Sequence, residues 1–207
     1  MNFKTTIFDT FGEKIFDRPL FYSQELALRL ELSEPAPTYI SQFLNVHQKA
    51  KEICREALPS SDLFLVGLRF FAQNPMKMKE CLTHLRKMGV PLPKSREIWV
   101  LPPENAEEGS ESSEGDWHDH ILAFPGDQTM LDSLLWTALA SDYGPIQPRP
   151  MVSIYIFNIS KKIALFPYDD RGMDIVGPNK EFLRSLYHRF NHTLLDYDRA
   201  KMDELFG

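Results

Sequence analysis

The chain has 207 residues and a formal net charge of -6, and 43% of its residues are hydrophobic. This length suits one ordinary domain, and the apolar content excludes a mainly disordered protein. No apolar run reaches the roughly 20 residues that cross a bilayer, and the first residues lack the features of a signal peptide, so we expect a cytoplasmic protein with no membrane partner.

The negative charge is concentrated in one segment. Residues 104–116 contain five glutamates and one aspartate but neither Lys nor Arg, and the remaining 23 acids balance the 23 basic residues. Without a basic excess, we expect no nucleic-acid ligand. The segment is rich in Glu, Ser and Gly, which predicts a flexible acidic loop in an otherwise single domain spanning residues 1–207.

Apolar periodicity and turn residues predict the elements of the N-terminal half. They are a helix over 2–11, a strand over 26–32, a helix over 40–58, a strand over 63–71, a helix from Asn74 to near Gly89 and a strand over 97–101. The strand over 26–32 alternates, with leucines on one face and Ala27, Arg29 and Glu31 on the other. Cys54 and Cys81 lie on apolar helix stripes, where a thiol is a small hydrophobe.

The C-terminal half begins with a strand that we expect to pair with 97–101 across the acidic loop. The predicted elements are a strand over 118–124, a helix over 131–139, strands over 152–157, 162–167 and 173–176, a helix from Asn179 and a last helical turn over 202–206. Short turn sequences separate the last three strands, which predicts an antiparallel meander.

These elements predict an α+β protein with a mainly antiparallel sheet, a C-terminal three-strand meander and helices packed on one face. Because helices and strands alternate in the N-terminal half, some parallel pairing is also compatible with the pattern. No internal repeat occurs at the periods of solenoids or propellers.

Tyr168-Asp169-Asp170-Arg171-Gly172 joins two strands of the predicted meander. Asp favours turns through its side-chain hydrogen bonds, and Gly172 suits a left-handed position in a short hairpin loop, so a structural turn explains most of this sequence. Arg171 is not a typical turn residue, however. Two carboxylates beside a guanidinium can also hold a metal, a phosphate or a charged partner.

Four motifs connect the chain to a known family: Arg29-Leu30-Glu31-Leu32, Ser141-Asp142-Tyr143-Gly144, the Tyr168–Gly172 turn and Leu195-Asp196-Tyr197-Asp198-Arg199. Together they resemble an uncharacterised bacterial family catalogued as domain of unknown function 3885. The resemblance covers most of the chain and is weakest in the acidic loop. It implies no activity, and it transfers no catalytic residue to this sequence.

Other patterns typical of enzymes or metal sites are weak. His118 and His120 share a strand face without an evident third ligand, and His188 and His192 lie opposite an apolar stripe, which predicts exposure to solvent. The sequence contains no zincin helix, Gly-x-Ser-x-Gly elbow, Walker A loop or dinucleotide fingerprint. We therefore expect no metal and no cofactor.

The sequence favours a non-enzymatic binding or regulatory protein, of the kind that neutralises a toxin or regulates a partner. The acidic loop can meet another protein with a basic surface. The competing hypothesis is a metal- or phosphate-dependent hydrolase that uses the Tyr168–Gly172 turn, and a ligand-sensing module is a third alternative. The candidate binding residues are Arg29, Glu31, Asp142, Asp169, Asp170 and Arg171.

Arg29 and Glu31 also have a structural interpretation, as members of a salt-bridge network that includes Arg69 or the Asp170 turn. Tyr197-Asp198-Arg199 is interpreted as a brace for the last helix. Convergence of the candidate residues in one pocket would favour a site, whereas dispersal would favour turn and brace roles.

Overall fold

The computed structural model of the protein describes residues 2–59, 63–72, 75–101, 118–141 and 143–207. Its α-helices are α1 (Phe3–Phe11), α2 (Leu20–Ser23), α3 (Tyr39–Ala57), α4 (Pro75–Lys87), α5 (Leu131–Leu139), α6 (Lys180–Arg189) and α7 (Arg199–Phe206). Its strands are β1 (Ala27–Glu31), β2 (Phe64–Ala72), β3 (Glu97–Val100), β4 (His118–Gly126), β5 (Ser153–Asn158), β6 (Ile163–Pro167) and β7 (Gly172–Val176). Short 3₁₀ turns include Glu13–Phe16 and Asp196–Asp198.

The seven described strands form one sheet in the order β1-β7-β6-β5-β2-β4-β3, with antiparallel neighbours throughout. The prediction of an α+β protein with a mainly antiparallel sheet and a meander of β5, β6 and β7 is therefore confirmed. The pairing of β3 with β4 is confirmed as well. The predicted acidic loop over 104–116, which joins these two strands, lies outside the described residues.

The helices cover both faces of the sheet, so the expectation that they pack on one face needs correction. On one side, which we call the α2 face, Phe16 packs edge-on against Tyr155 and Phe157, with ring centroids 5.0 and 5.9 Å away. On the other side, the α3 face, the side-chain amide of Asn158 donates to the carbonyl of Ala57 in α3. The physical reason is that every residue of β6 and β7 is buried, and a strand that is apolar on both faces must be covered twice.

Edge strand β1 is closed by the chain that follows α6. Leu30 forms a β-bridge with Leu194, and the backbone N–H of Leu195 donates to the carbonyl of Arg29 at 2.9 Å. This contact brings the Asp196–Asp198 turn beside the side chain of Arg29.

The cysteines lie in the core, as predicted. Cys54 is fully buried and Cys81 nearly so, and burial raises the pKa of each thiol to about 12. Both thiols therefore behave as small hydrophobes. Within the described part of the chain, none of the helices combines the length and the apolar content needed to cross a bilayer.

Candidate functional site: the arginine cleft

A cleft of about 700 Å³ opens on the α2 face, between the loop that precedes α2 and the strands β1, β5, β6 and β7. We call it the arginine cleft. Its polar lining residues include Arg18, Arg29, Glu31, Ser33, Ser153 and Arg171. The structure thus brings three of the candidate residues, Arg29, Glu31 and Arg171, to one concave surface.

The sheet register explains how these residues meet. Arg29 of β1 stands opposite Asp174 of β7, and Asp174 stands opposite Phe166 of β6. Because directly opposed residues share a face, these three side chains form one row on the α2 face. Phe166 continues the row by stacking on Tyr155 at 4.4 Å between ring centroids.

Arg29 is held by two carboxylates at the base of the cleft. Its Nε and Nη2 donate to the two oxygens of Asp174 at 2.8 and 3.1 Å, and its Nη1 donates to Asp198 at 3.2 Å. The side chain of Arg29 is only 12% exposed and that of Asp174 only 1%. A bidentate, nearly buried ion pair of this kind is oriented and largely removed from solvent.

Further contacts anchor the same carboxylates. The backbone N–H of Phe21 donates to Asp174 at 3.0 Å, and the phenol of Tyr22 donates to Asp198 at 2.8 Å. The guanidinium carbon of Arg29 lies 4.8 Å from the ring centroid of Phe21 and 5.0 Å from that of Tyr22. Burial raises the pKa of the Asp174 carboxyl, and the guanidinium of Arg29 opposes that shift.

The network is therefore structural, and it ties β1 and β7 to α2 and to the Asp196–Asp198 turn. The sequence had suggested a salt-bridge network around Arg29, but with Arg69 or Asp170 as its partners. Arg69 instead pairs with Asp119 through both carboxylate oxygens. Asp198 braces β1 and α2, and its side chain makes no capping bond to α7.

The Tyr168–Gly172 turn organises its own charges. Asp169 accepts the backbone N–H of Arg171 at 2.8 Å through one oxygen and the Arg171 Nε at 2.9 Å through the other. The first bond is an Asx turn, as the sequence predicted. Asp169 is 8% exposed and Arg171 is 74% exposed, so the carboxylate is engaged inside the turn while the guanidinium extends into the cleft.

Gly172 is required for a different reason from the one expected. It does not adopt a left-handed backbone conformation, so the predicted role in a left-handed position is wrong. The ring of Tyr168 instead folds back over it. A Cβ at this position would stand 2.6 Å from Cζ of Tyr168 and 2.8 Å from the carbonyl oxygen of Leu30. Gly172 thus permits the close approach of Tyr168, which forms part of the cleft floor.

Asp170 faces away from the cleft. Burial, followed by the nearby Asp170 carboxylate, raises the pKa of Tyr143 to about 12. Tyr143 packs against Phe43 of α3 at 5.3 Å between ring centroids, which places it on the α3 face. Asp170 is therefore separated from Arg29 by the sheet. The candidate Asp142 lies outside the described residues.

Arg18 and Glu31 differ from the other charged groups of the cleft. Arg18 donates to the hydroxyl of Ser153, and its guanidinium carbon lies 5.5 Å from the ring centroid of Phe166. Both Arg18 and Glu31 are exposed. Among the residues that the structure describes, neither Arg18 nor Glu31 has an oppositely charged side chain within 4.0 Å, the N···O distance limit for an ion pair. The two side chains therefore do not pair with each other.

The histidine pairs do not form a metal site in the described ranges. The rings of His118 and His120 lie 6.4 Å apart, and no group of three or more His, Cys, Asp or Glu side chains there is arranged around a common point. His188 and His192 are exposed, as their spacing predicted.

Sequence reasoning missed Arg18, Ser153 and Asp174. Asp174 carried a usable signal, because a lone acid in the apolar run Gly172–Val176 requires a buried cation. Arg18 and Ser153 carried none, since they are 135 positions apart and only the tertiary fold joins them.

Comparison with known proteins assigns the chain to a family. Residues 3–198 match the model of the family described as domain of unknown function (DUF3885), so the chain belongs to this family. No curated protein and no solved structure matches the chain significantly.

Proposed function

We propose that this DUF3885 protein is a non-enzymatic binding protein and that its binding site is the arginine cleft. The observation that carries the proposal is a pair of exposed charges, Arg18 and Glu31, on the walls of a cleft of about 700 Å³, neither of which forms an ion pair with any residue that the structure describes. This volume lies in the range of pockets that enclose small ligands. The hydroxyls of Ser33 and Ser153 add hydrogen-bonding groups that fix orientation.

The hydrolase alternative receives less support from the same geometry. It required Asp170 and Arg29 in one pocket, and the two side chains lie on different faces of the sheet. Asp169 already accepts three hydrogen bonds from Arg171. A carboxylate in that position is poorly placed to act as a base or to take a metal.

A thermal-shift screen of small charged molecules and short peptides tests the proposal. A binder at about 100 times its dissociation constant adds roughly 2.7 kcal/mol to the free energy of unfolding. We expect such a compound to stabilise the wild type and to lose its effect in Ser153→Trp and Ser33→Trp, which fill the cleft from two sides. Mass spectrometry after incubation should recover the compound unchanged. Equal stabilisation of all three proteins, or conversion of the compound, would contradict the proposal.

Regulation of a partner, including neutralisation of a toxin in a bacterial cytoplasm, is the form of binding that we propose for this protein. The acidic segment 104–116 adds a second contact in that proposal, because its six acids can attract a basic partner surface at long range. Affinity capture at two salt concentrations, with and without residues 104–116, tests this contact. We expect the deletion to remove most of the salt dependence, and an unchanged dependence would refute the contact.

A further inference from the structure

The charges that line the cleft are nearly all satisfied internally, and this limits what can bind there. Arg29 is matched by Asp174 and Asp198, and Arg171 is matched by Asp169. The cleft thus has three guanidinium groups and four carboxylates that line it or pair with its arginines. The guanidinium groups belong to Arg18, Arg29 and Arg171, and the carboxylates to Glu31, Asp169, Asp174 and Asp198. The cleft is therefore not a basic pocket, and a ligand rich in phosphate gains little net attraction from it.

Arg18 and Glu31 are the charges that remain, and they have opposite signs. The guanidinium of Arg18 is held in place by the hydroxyl of Ser153 and by the ring of Phe166. A side chain used only for solubility needs no such support, whereas a preoriented guanidinium loses less entropy on binding a carboxylate. Glu31 is on the same strand face as Arg29 and lines the opposite side of the cleft.

The sheet sets the distance between these two charges. Glu31 stands opposite Gly172 of β7, and Ser153, which holds Arg18, lies in β5. The order β1-β7-β6-β5 places three strand spacings between them, or about 14 Å at about 4.8 Å per spacing. Because Arg18 leans over Phe166 of β6, the two charged groups are about 10–14 Å apart.

This distance is too long for one amino acid, and it matches an extended chain. At about 3.3 Å per residue, two residues four positions apart in an extended chain are about 13 Å apart, and their side chains lie on the same face of the chain. Between the two charges, the floor is formed by the ring of Tyr168 lying over Gly172. A flat aromatic floor suits the backbone and apolar side chains of a peptide.

We propose that the arginine cleft binds an extended peptide segment that carries an acidic residue and, four positions away, a basic residue. The acidic side chain contacts Arg18 and the basic side chain contacts Glu31, while the residues between them lie across Tyr168. The proposal rests on the proposed function of the cleft and names its ligand class. The segment can belong to a free short peptide or to an exposed loop of a partner protein.

Fluorescence polarisation with capped, labelled pentapeptides tests this ligand class. One peptide carries Asp and Lys four positions apart, one carries Lys at both positions, one carries Asp at both, and one carries Asp and Lys side by side. We expect the wild type to bind the first peptide at least about fivefold more tightly than the other three.

Reversing the charge of Arg18 or Glu31 should switch which peptide the protein prefers. A purely structural role of these side chains would not produce such a switch. Arg18→Glu places two acids at the two charged positions of the cleft and should prefer the dilysine peptide, whereas Glu31→Arg places two bases there and should prefer the diaspartate peptide. Arg86→Glu, an exposed substitution on α4 with the same change of charge, is the matched control and should keep the wild-type preference. Circular dichroism and thermal unfolding verify that each variant is folded.

The outcomes separate this inference from the proposed function. If the peptides bind and Ser153→Trp blocks them, but charge reversal does not switch the preference, the ligand class is wrong and the binding cleft stands. If no peptide binds while the thermal-shift screen finds another cleft ligand, the ligand class is again wrong and the binding cleft stands. If neither assay finds a cleft ligand, both proposals fail. Inserting the Asp–Lys sequence into a loop of an inert carrier protein distinguishes a free peptide from a partner loop as the source of the segment. Binding of the carrier indicates a site for a partner loop, whereas binding of the pentapeptide alone indicates a site for a free peptide.

Discussion

Arg29 and Arg18 line the same cleft, but their surroundings assign them different tasks. Arg29 is 12% exposed and is held by two carboxylates, three aromatic rings and the strand to which it belongs. Arg18 is exposed and is held by one hydroxyl and one ring, without a carboxylate partner among the described residues. The first guanidinium therefore stabilises the walls of the cleft, whereas the second is the one that we propose contacts a ligand.

The largest effect should come from removing the main partner of Arg29. Asp174→Ala leaves a nearly buried guanidinium with only Asp198, and we expect the free energy of unfolding to fall by about 3–5 kcal/mol. Urea denaturation followed by circular dichroism measures it. The double variant Arg29→Met/Asp174→Leu removes both charges and should recover a large part of the loss. A loss below about 1 kcal/mol in Asp174→Ala would contradict the structural role of the network.

A smaller loss should follow from filling the space over Gly172. Gly172→Ala places a methyl group against the ring of Tyr168 and the carbonyl of Leu30, which we expect to cost about 2–3 kcal/mol and to displace the cleft floor. Gly144→Ala is the control, because a Cβ there meets nothing within 4 Å. Denaturation of both variants and tyrosine fluorescence report the two effects. Equal stability of the two variants would show that Tyr168 does not pack as described.

Burial of Tyr143 on the α3 face, together with the nearby Asp170 carboxylate, predicts an effect of pH on stability. The pKa of Tyr143 is raised to about 12 in the folded protein, against about 10 in an unfolded chain. The folded state therefore holds this proton more tightly, and the resulting stability is present below about pH 10 and lost as the pH rises towards 12. Tyr143→Phe should reduce the alkaline loss of unfolding free energy by up to about 2 kcal/mol. Denaturant titrations between pH 9 and 12, with exposed Tyr39→Phe as control, measure this difference, which should be absent from the control.

The smallest effect on stability should come from Arg18 and Glu31, which form no ion pair within the described part of the chain. Arg18→Ala and Glu31→Ala should each change the free energy of unfolding by less than about 0.5 kcal/mol, because exposed charges without partners contribute little. Chemical denaturation measures both. A loss above about 1 kcal/mol in either variant would mean that the side chain has a structural role like that of Arg29, and the contrast between the two arginines would disappear.

Much of the fold could be predicted from the sequence, because local patterns determine it. Period-two leucines placed β1, the apolar run at 63–71 placed β2 to within one residue at each end, and the Asx turn at Asp169 followed from its side chain. The burial of β6 and β7 on both faces was harder to predict, since a short apolar run does not reveal how many faces of a strand are covered. Strand order depends on contacts between distant segments, and no local pattern encodes them.

The candidate site was only partly predictable. Arg29, Glu31 and Arg171 were identified from their charge in or beside strands, and all three line the cleft. Asp170 was grouped with them because it is adjacent in sequence, but neighbouring turn residues point in different directions, and its carboxylate lies near Tyr143. The role of Asp198 changed from a helix brace to a partner of Arg29, since the chain after α6 returns to β1.

The most direct test of the central claim is to map the bound peptide on the protein by NMR. The ¹⁵N-labelled protein is titrated with the capped pentapeptide that carries Asp and Lys four positions apart. We predict that the amide signals of Ser33, Ser153 and Tyr168 to Gly172 shift during the titration, and that these shifts are lost in Arg18→Glu. Shifts confined to α3 and α5, or shifts that persist in Arg18→Glu, would contradict the account.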